Sequence, residues 1–313
     1  MRAMLIANPK ATSTSRRARD LLIRAFSGDV ELTLAETRHR GHAMELARRG
    51  AVEGFDVVVA LGGDGTVNEA VNGLLAKGPS DDLPALAVLP IGSANVFARS
   101  LGLPNDPIAA TRTILEALRA GRHRTVGLGA ACLPDGSRRY FTFNAGVGLD
   151  AEVVREVERR RGAGFKADPS LYVRTAARHF FSGTDRRRPA LTLEVPGQPP
   201  KSGLFLVWIS NSSPWTFMGP VAVNPSPRAT FGRGLDAFAI SSLDVAPVVS
   251  ALTQMMVTPS RPVRGRQVVN VHDAPEITLR SERPVAFQLD GDYLGEQETV
   301  TFRSVPKAIR IVI

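Results

Sequence analysis

Apolar positions change their rhythm once along the chain, near residue 124. Before it, short apolar runs at Arg2 to Ala7, Val30 to Ala35, Phe55 to Leu61 and Leu86 to Pro90 read as strands. The Phe55 run has almost no polar break, the pattern of a strand buried on both faces of a parallel sheet. Between the runs, apolar residues recur at helical spacing over 16–26, 43–49, 67–77, 94–102 and 107–120, and Gly121 stops the last of these. Alternating strand and helix predicts a doubly wound sheet with its ligand loops at the carboxyl ends of the strands.

After Arg124 the pattern is of short strands separated by proline and glycine turns: 125–132, 138–143, 190–195, 204–210, 237–241, 267–272, 276–280 and 285–289. That predicts an antiparallel β-sandwich. Two helical stretches interrupt it. One runs from Gly148 to Phe181, with Val153, Val154 and Val157, then Leu171, Val173, Ala176, Ala177, Phe180 and Phe181; the other runs from Ala246 to Met255, with Val248, Val249 and Leu252. Both stripes can simply pack on the sheet. The expected fold is α/β plus β: an α/β domain over 1–124, a β-sandwich domain over 125–303, and a last apolar run within 304–313 that either completes the first domain or ends the second.

Four loops fall at strand ends of the first domain: Asn8-Pro9 to Thr12, Thr37, Gly62 to Thr66, and Gly92 to Asn95 with Ser93. They can converge on one ligand. Gly62, Gly63 and Gly65 lie between a strand and a helix, an arrangement in which backbone amides and a helix N-terminus together cradle phosphate. Thr66 is placed to cap that helix and to donate to a phosphate oxygen. Asp64 is out of place in an anion cradle unless it holds a metal, a proton or a hydroxyl; the alternative is a tight turn in which it bonds local backbone.

Composition narrows the picture. The 313 residues are 43% hydrophobic and 22% charged, ordinary for a globular protein. No apolar run approaches the roughly 20 residues of a membrane helix, and the first run is too short for a signal peptide. Cys132 is the only cysteine, which excludes an intramolecular disulfide and a cysteine-based metal site; a cytoplasmic chain is expected. The net charge of +9, with Arg clusters at 159–161 and 186–188, suits nucleic acid, a polyphosphate ligand, an anionic membrane surface, or plain solvated faces. With 6% aromatic residues and no aromatic–basic interleaving, no platform for nucleic acid is expected. His39 and His42 are three apart with no third ligand in register, so a solvent-facing pair is expected rather than a metal site.

The motif Gly-Gly-Asp-Gly-Thr-x-Asn-Glu at 62–69, followed by Pro-x-Gly-Ser-x-Asn-x-Phe-Ala-Arg-x-Leu-Gly at 90–102, resembles the diacylglycerol kinase catalytic family, which includes bacterial lipid kinases and the sphingosine and ceramide kinases. Gly-Gly-Asp-Gly alone is shared with NAD kinases and phosphofructokinases; the second motif points to lipid kinases. The resemblance implies ATP and Mg²⁺, a lipid substrate, and an active site in a cleft between the domains. It implies nucleotide contacts from Asn8, Pro9, Thr12, Thr37, Gly62, Gly63, Asp64, Gly65, Thr66, Val67, Asn68, Ser93 and Asn95. A lipid slot walled by the two helical stripes follows from the same resemblance.

Asn144-Ala-Gly-Val-Gly-Leu-Asp150 resembles the family segment in which the second domain opens onto the cleft, making Asn144 and Asp150 substrate residues; Asp150 reads equally as an N-cap for a helix from Ala151. Asp290-Gly-Asp292 resembles the segment whose last carboxylate is the general base, and its Asp-Gly pair is also the strongest short hairpin signal. Asp292 is therefore assigned as base and Asp64 as the Mg²⁺–nucleotide or hydroxyl-orienting group, though the two can exchange. One departure concerns a structural magnesium site: Phe231-Gly-Arg-Gly-Leu-Asp236 has Gly232 or Arg233 where the family has its first metal Asp, so the site is absent or filled by the Arg233 guanidinium. The rival readings are an NAD kinase-like enzyme and a non-catalytic lipid- or nucleotide-binding protein. Peripheral contact with an anionic membrane is expected, and a homodimer stays open.

Overall fold

A computed structural model of the chain describes residues 1–9, 16–162, 169–179 and 188–313. Thr12, Phe180 and Phe181 lie outside the described residues. The chain divides into two compact units, Met1–Leu128 with Pro306–Ile313, and Gly129–Val305.

The first unit begins β1 (Arg2–Ala7), α1 (Arg16–Ser27), β2 (Glu31–Glu36), α2 (His42–Val52), β3 (Val57–Gly62), α3 (Asp64–Leu74), β4 (Ala85–Pro90), α4 (Val96–Ser100) and α5 (Pro107–Arg119). The strands are parallel in the order β2-β1-β3-β4, and Ile311 pairs in parallel with Leu86 on the far side of β4. The closing apolar run therefore completes the sheet of this unit. Every residue of β3 and β4 is buried, as expected where crossover helices cover both faces of a parallel sheet. β2, at the edge, is largely exposed. Asp106 caps α5 by accepting from Ala109 N at 2.8 Å, and Gly121 beyond its end has φ 62°.

The second unit takes in the end of β5 (His123–Cys132), then β6 (Arg138–Phe141), β7 (Asn144–Gly148), α6 (Leu149–Gly162), α7 (Pro169–Arg178), β8 (Leu191–Glu194), β9 (Lys201–Leu204), β10 (Leu206–Ser210), β11 (Thr216–Met218), β12 (Val221–Val223), β13 (Leu235–Ile240), α8 (Val245–Val257), β14 (Val268–Ala274), β15 (Glu276–Leu289) and most of β16 (Asp292–Val312). Its strands pair antiparallel in the order β14-β13-β10-β7-β15-β16, with β8 and β9 added along the first half of β15. The core gathers Phe141, Phe287, Phe302, Ile209, Leu235 and Leu279 from several of these strands.

Two expected boundaries differ. The strands predicted at 276–280 and 285–289 are one strand, β15, whose pairing with β16 shifts register between Arg280 and Val285. The stretch 144–148, read as a junction, is β7, a strand between β10 and β15. Two glycines in five residues give it little strand propensity of its own. Gly146 is required by its neighbours: a Cβ there would collide with the carboxylate of Asp150 and the amide of Gln288.

Candidate active site

In the first unit, α3 starts at Asp64 with Gly63 as its N-cap, three residues before the Val67 start that the apolar spacing predicts. The first turn, Asp-Gly-Thr, lacks an apolar stripe and so is silent in a periodicity reading. Thr66 accordingly is not the cap; it sits buried inside the first turn. The first helical bond runs from Val67 N to Gly63 O at 3.1 Å. The amides of Asp64, Gly65 and Thr66 precede that bond and lie at the positive end of the helix.

Gly63 and Gly92 bring two loops into backbone contact: a Cβ on Gly92 would stand 2.6 Å from Gly63 Cα. Gly92→Ala must push the loops apart, and we expect nucleotide affinity to fall on the order of tenfold or more, since a displacement near 1 Å is costly in a preorganised site. Nucleotide titration by fluorescence checks this; unchanged affinity would show that the loop contact does not shape the cradle.

Asp64 points sideways. Its carboxylate accepts from Val96 N at 3.1 Å and Phe97 N at 3.2 Å, fixing the start of α4. Burial pulls the Arg99 guanidinium down, and the Asp64 charge pulls it back up. Glu69, five residues on, does for α2 what Asp64 does for α4: it accepts from Gly41 N at 2.7 Å and Ala43 N at 3.1 Å. Sequence reasoning missed this role. The available signal was the start of α2 at Gly41-His42, which has no side-chain cap of its own.

The other expected nucleotide residues take different places. Asn8 donates from Nδ2 to Thr66 Oγ1 at 3.4 Å, and its backbone N donates to Leu61 O at 3.1 Å, which ties the first loop to the glycine loop. Pro9 is exposed beside it. Thr37 N donates to Ala7 O at 2.9 Å. Ser93 is exposed. Asn95, buried and with φ 49°, folds its amide into its own loop, accepting from Gly92 N at 2.9 Å and donating to Gly92 O at 3.0 Å and Asn105 Oδ1 at 2.9 Å. Val67 and Asn68 are buried, and Asn72 donates to the Asn68 side chain at 3.1 Å.

The histidine pair needs a correction. Glu45 does fall in register with His39 and His42, the three offering atoms within 4.8 Å of one another. The rings stack at 4.8 Å, however, and Arg38 N donates to His42 Nδ1 at 3.0 Å. That bond leaves the proton of a neutral His42 on Nε2, with no lone pair to offer a metal.

In the second unit, Asp290 and Gly291 have φ 51° and 82° and join Leu289 to its partner Asp292. This is a two-residue loop with positive φ at both central positions, the type I′ geometry. Asp290 is buried, and its two oxygens accept from Thr142 N (2.7 Å), Thr142 Oγ1 (2.8 Å), Phe143 N (3.0 Å) and Asn144 N (3.1 Å). Gln288 Oε1 accepts from Gly291 N at 2.8 Å. Asp292 follows this clamped turn, with the Arg139 guanidinium 3.9 Å away. Asn144 donates to Trp215 O at 2.8 Å and accepts from Gln288 at 3.3 Å.

Asp150 does not cap a helix from Ala151, because α6 already begins at Leu149. Its carboxylate lies over Gly146 and accepts from Gln288 Nε2 at 2.9 Å. Burial pushes its pKa up to about 6, against the downward pull of Gln288 and Trp208. A carboxyl raised in the folded state adds stability below its unfolded pKa of 3.8, and that stability is lost as pH rises through about 6. Asp150→Asn should therefore gain on the parent between pH 4 and 7, by up to about 3 kcal/mol. Urea unfolding at both ends of that window checks it; a constant difference would contradict the buried carboxyl.

At the expected magnesium corner, Asp236 is buried and accepts from Asp273 N at 3.0 Å, with His272 Nδ1 at 2.7 Å. Arg233 lies 3.3 Å from Asp273, which also accepts from Gly234 N at 2.7 Å. The carboxylates here are engaged by protein donors, one of them a guanidinium, and this set does not fit a structural divalent cation.

A glycine-loop anion cradle on a parallel sheet, followed by an antiparallel β unit, defines an α/β-plus-β class of protein. Residues 2–154 match the family model of the diacylglycerol kinase catalytic domain. It is similar to a diacylglycerol kinase of Bacillus subtilis, 33% identical over 159 residues (50% of this chain, 48% of the relative), and to one of Staphylococcus aureus, 35% identical over 157 residues (50% and 46%). The chain spans about half the length of the curated relatives it matches. By fold it resembles a solved diacylglycerol kinase from Bacillus anthracis, with TM-score 0.68 and 18% identity over 99% of this chain and 96% of that one. It also resembles an NAD kinase from Archaeoglobus fulgidus solved with ATP, with TM-score 0.51 and 11% identity over 100% and 94%.

Proposed function

We propose that the protein is a lipid kinase that transfers the γ-phosphate of ATP to a hydroxyl of a lipid such as diacylglycerol or a sphingoid- or ceramide-type lipid. The observation that carries this reading is the pair of mutually fitted glycine loops, Gly62–Thr66 and Gly92–Asn95, within a stretch that matches the diacylglycerol kinase catalytic domain. The N-terminal first turn of α3, at the positive end of the helix, suits the polyphosphate. Asp64 suits the Mg²⁺ that travels with the nucleotide, which when bound neutralises phosphate charge. Asp292 suits the base that takes the hydroxyl proton, its direction set by the turn that Asp290 and Gln288 clamp. The NAD kinase likeness is one of fold at 11% identity and brings no residue that favours the rival reading. No helix among the described residues is long and apolar enough to cross a membrane; the lipid would be met at a membrane surface.

Incubation with labelled ATP, Mg²⁺ and a panel of diacylglycerol, ceramide, sphingoid base and NAD tests the acceptor class. Asp64→Asn should lower turnover by orders of magnitude, because an amide binds Mg²⁺ poorly, and should cost about 1 kcal/mol as a helix-start acceptor is weakened. Near-parental kcat in a folded Asp64→Asn protein would remove the role given to Asp64.

A further inference from the structure

One surface of the second unit is not accounted for by phosphoryl transfer. Helix α8 carries no charged residue along its length, Val-Ala-Pro-Val-Val-Ser-Ala-Leu-Thr-Gln-Met-Met-Val. Ala251 and Met255 turn inward onto Phe238 and Val223. Val245, Val249, Leu252 and Met256, spaced four, three and four apart, are 47%, 55%, 41% and 38% exposed. That is one apolar stripe on a helix already packed by a different face. The hairpin of β11 and β12 against which α8 packs also ends in exposed Met218 and Val221. Contiguous apolar surface of this kind marks a binding face.

The charge beside it selects the occupant. From Val245 to His272 there is no Asp or Glu, and there are three arginines, Arg261, Arg264 and Arg266, all exposed. Their segment is held against the helix: the Gln254 amide donates to Arg264 O and accepts from Arg264 N, both at 3.0 Å, and Val263 is buried with Met255. A second copy docked about a two-fold axis would bring these like charges towards one another. An anionic bilayer accepts both features at once, the stripe entering the headgroup–acyl boundary and the arginines meeting lipid phosphates.

We propose that α8 with the 261–266 segment is the membrane-docking surface of the protein, binding anionic phospholipid. The surface goes beyond the kinase reading and does not depend on it. The test is co-sedimentation with vesicles of phosphatidylglycerol and phosphatidylcholine in equal parts, or of phosphatidylcholine alone, free of diacylglycerol and nucleotide, at about 0.1 M salt. The parent should bind the anionic vesicles and bind the neutral ones far less. Arg261→Ser/Arg264→Ser/Arg266→Ser should weaken binding on the order of a hundredfold, and Val249→Glu/Leu252→Glu on the order of tenfold or more. Both variants should keep the parental melting temperature, and the arginine variant should also keep its transfer to a short-chain, water-soluble diacylglycerol. Parental binding by both variants would overturn the proposal, as would equal binding of the parent to neutral vesicles, or a parental dimer in sedimentation velocity that either variant splits. Vesicle binding without any phosphate transfer would sink the kinase reading and leave the docking surface standing.

Discussion

Asp292→Asn should lower phosphate transfer to lipid by a factor on the order of 10² to 10⁴, the usual contribution of a positioned general base, while ATP affinity stays within about twofold. The asymmetry follows from where the groups lie in the chain. The loops assigned to the nucleotide belong to the first unit, and Asp292 belongs to the second. It stands directly after a loop whose two central residues both have positive φ; the Asp290 carboxylate accepts from Thr142 N, and Gly291 N donates to Gln288 Oε1. Asp292→Glu keeps the chemistry but moves the carboxylate about one methylene too far, so partial activity is expected. Steady-state kinetics with a separate nucleotide titration separates the outcomes. Lost ATP affinity with unaltered transfer per bound ATP would make Asp292 a nucleotide or metal ligand, and the base would then be Asp64.

Two residues earlier, the expected effect is on folding. Asp290 receives four hydrogen bonds at 2.7–3.1 Å, three from backbone amides, and both of its oxygens are used. In Asp290→Asn one oxygen becomes an NH₂ facing donors, which leaves buried N–H groups unpaired at about 1–3 kcal/mol each. We expect a loss of roughly 3 kcal/mol or more in denaturant unfolding, against near-parental stability for Asp292→Asn. Two variants at neighbouring carboxylates in one hairpin would thus separate into a stability phenotype and an activity phenotype. A stability loss below about 0.5 kcal/mol for Asp290→Asn, the scale of ordinary surface changes, would contradict the four-bond clamp.

The sequence was informative where burial and periodicity speak together. The continuous apolar runs of β3 and β4 are buried throughout, and the Asp-Gly pair forms the type I′ turn that its composition predicts. It was silent where a residue serves a distant element. Glu69 and Asp64 each hold the start of a neighbouring helix, and no local pattern around either carboxylate announces that. β7 was missed because Gly146 is set by Asp150 and Gln288, which bond to one another across 138 residues of sequence, and Gly148 by Phe205 O. The histidine pair was read as lacking a third ligand in register; the structure places Glu45 there, and the Arg38 amide on His42 shows how its ring nitrogens are used.

The most direct test of the account is transfer of labelled γ-phosphate from ATP to diacylglycerol in mixed micelles by the purified protein with Mg²⁺. Label should appear in the lipid phase, as the phosphate monoester of diacylglycerol, at a rate that depends on both ATP and lipid. Nucleotide binding with no label in diacylglycerol or any other lipid, or label found only in a phosphorylated dinucleotide, would contradict it.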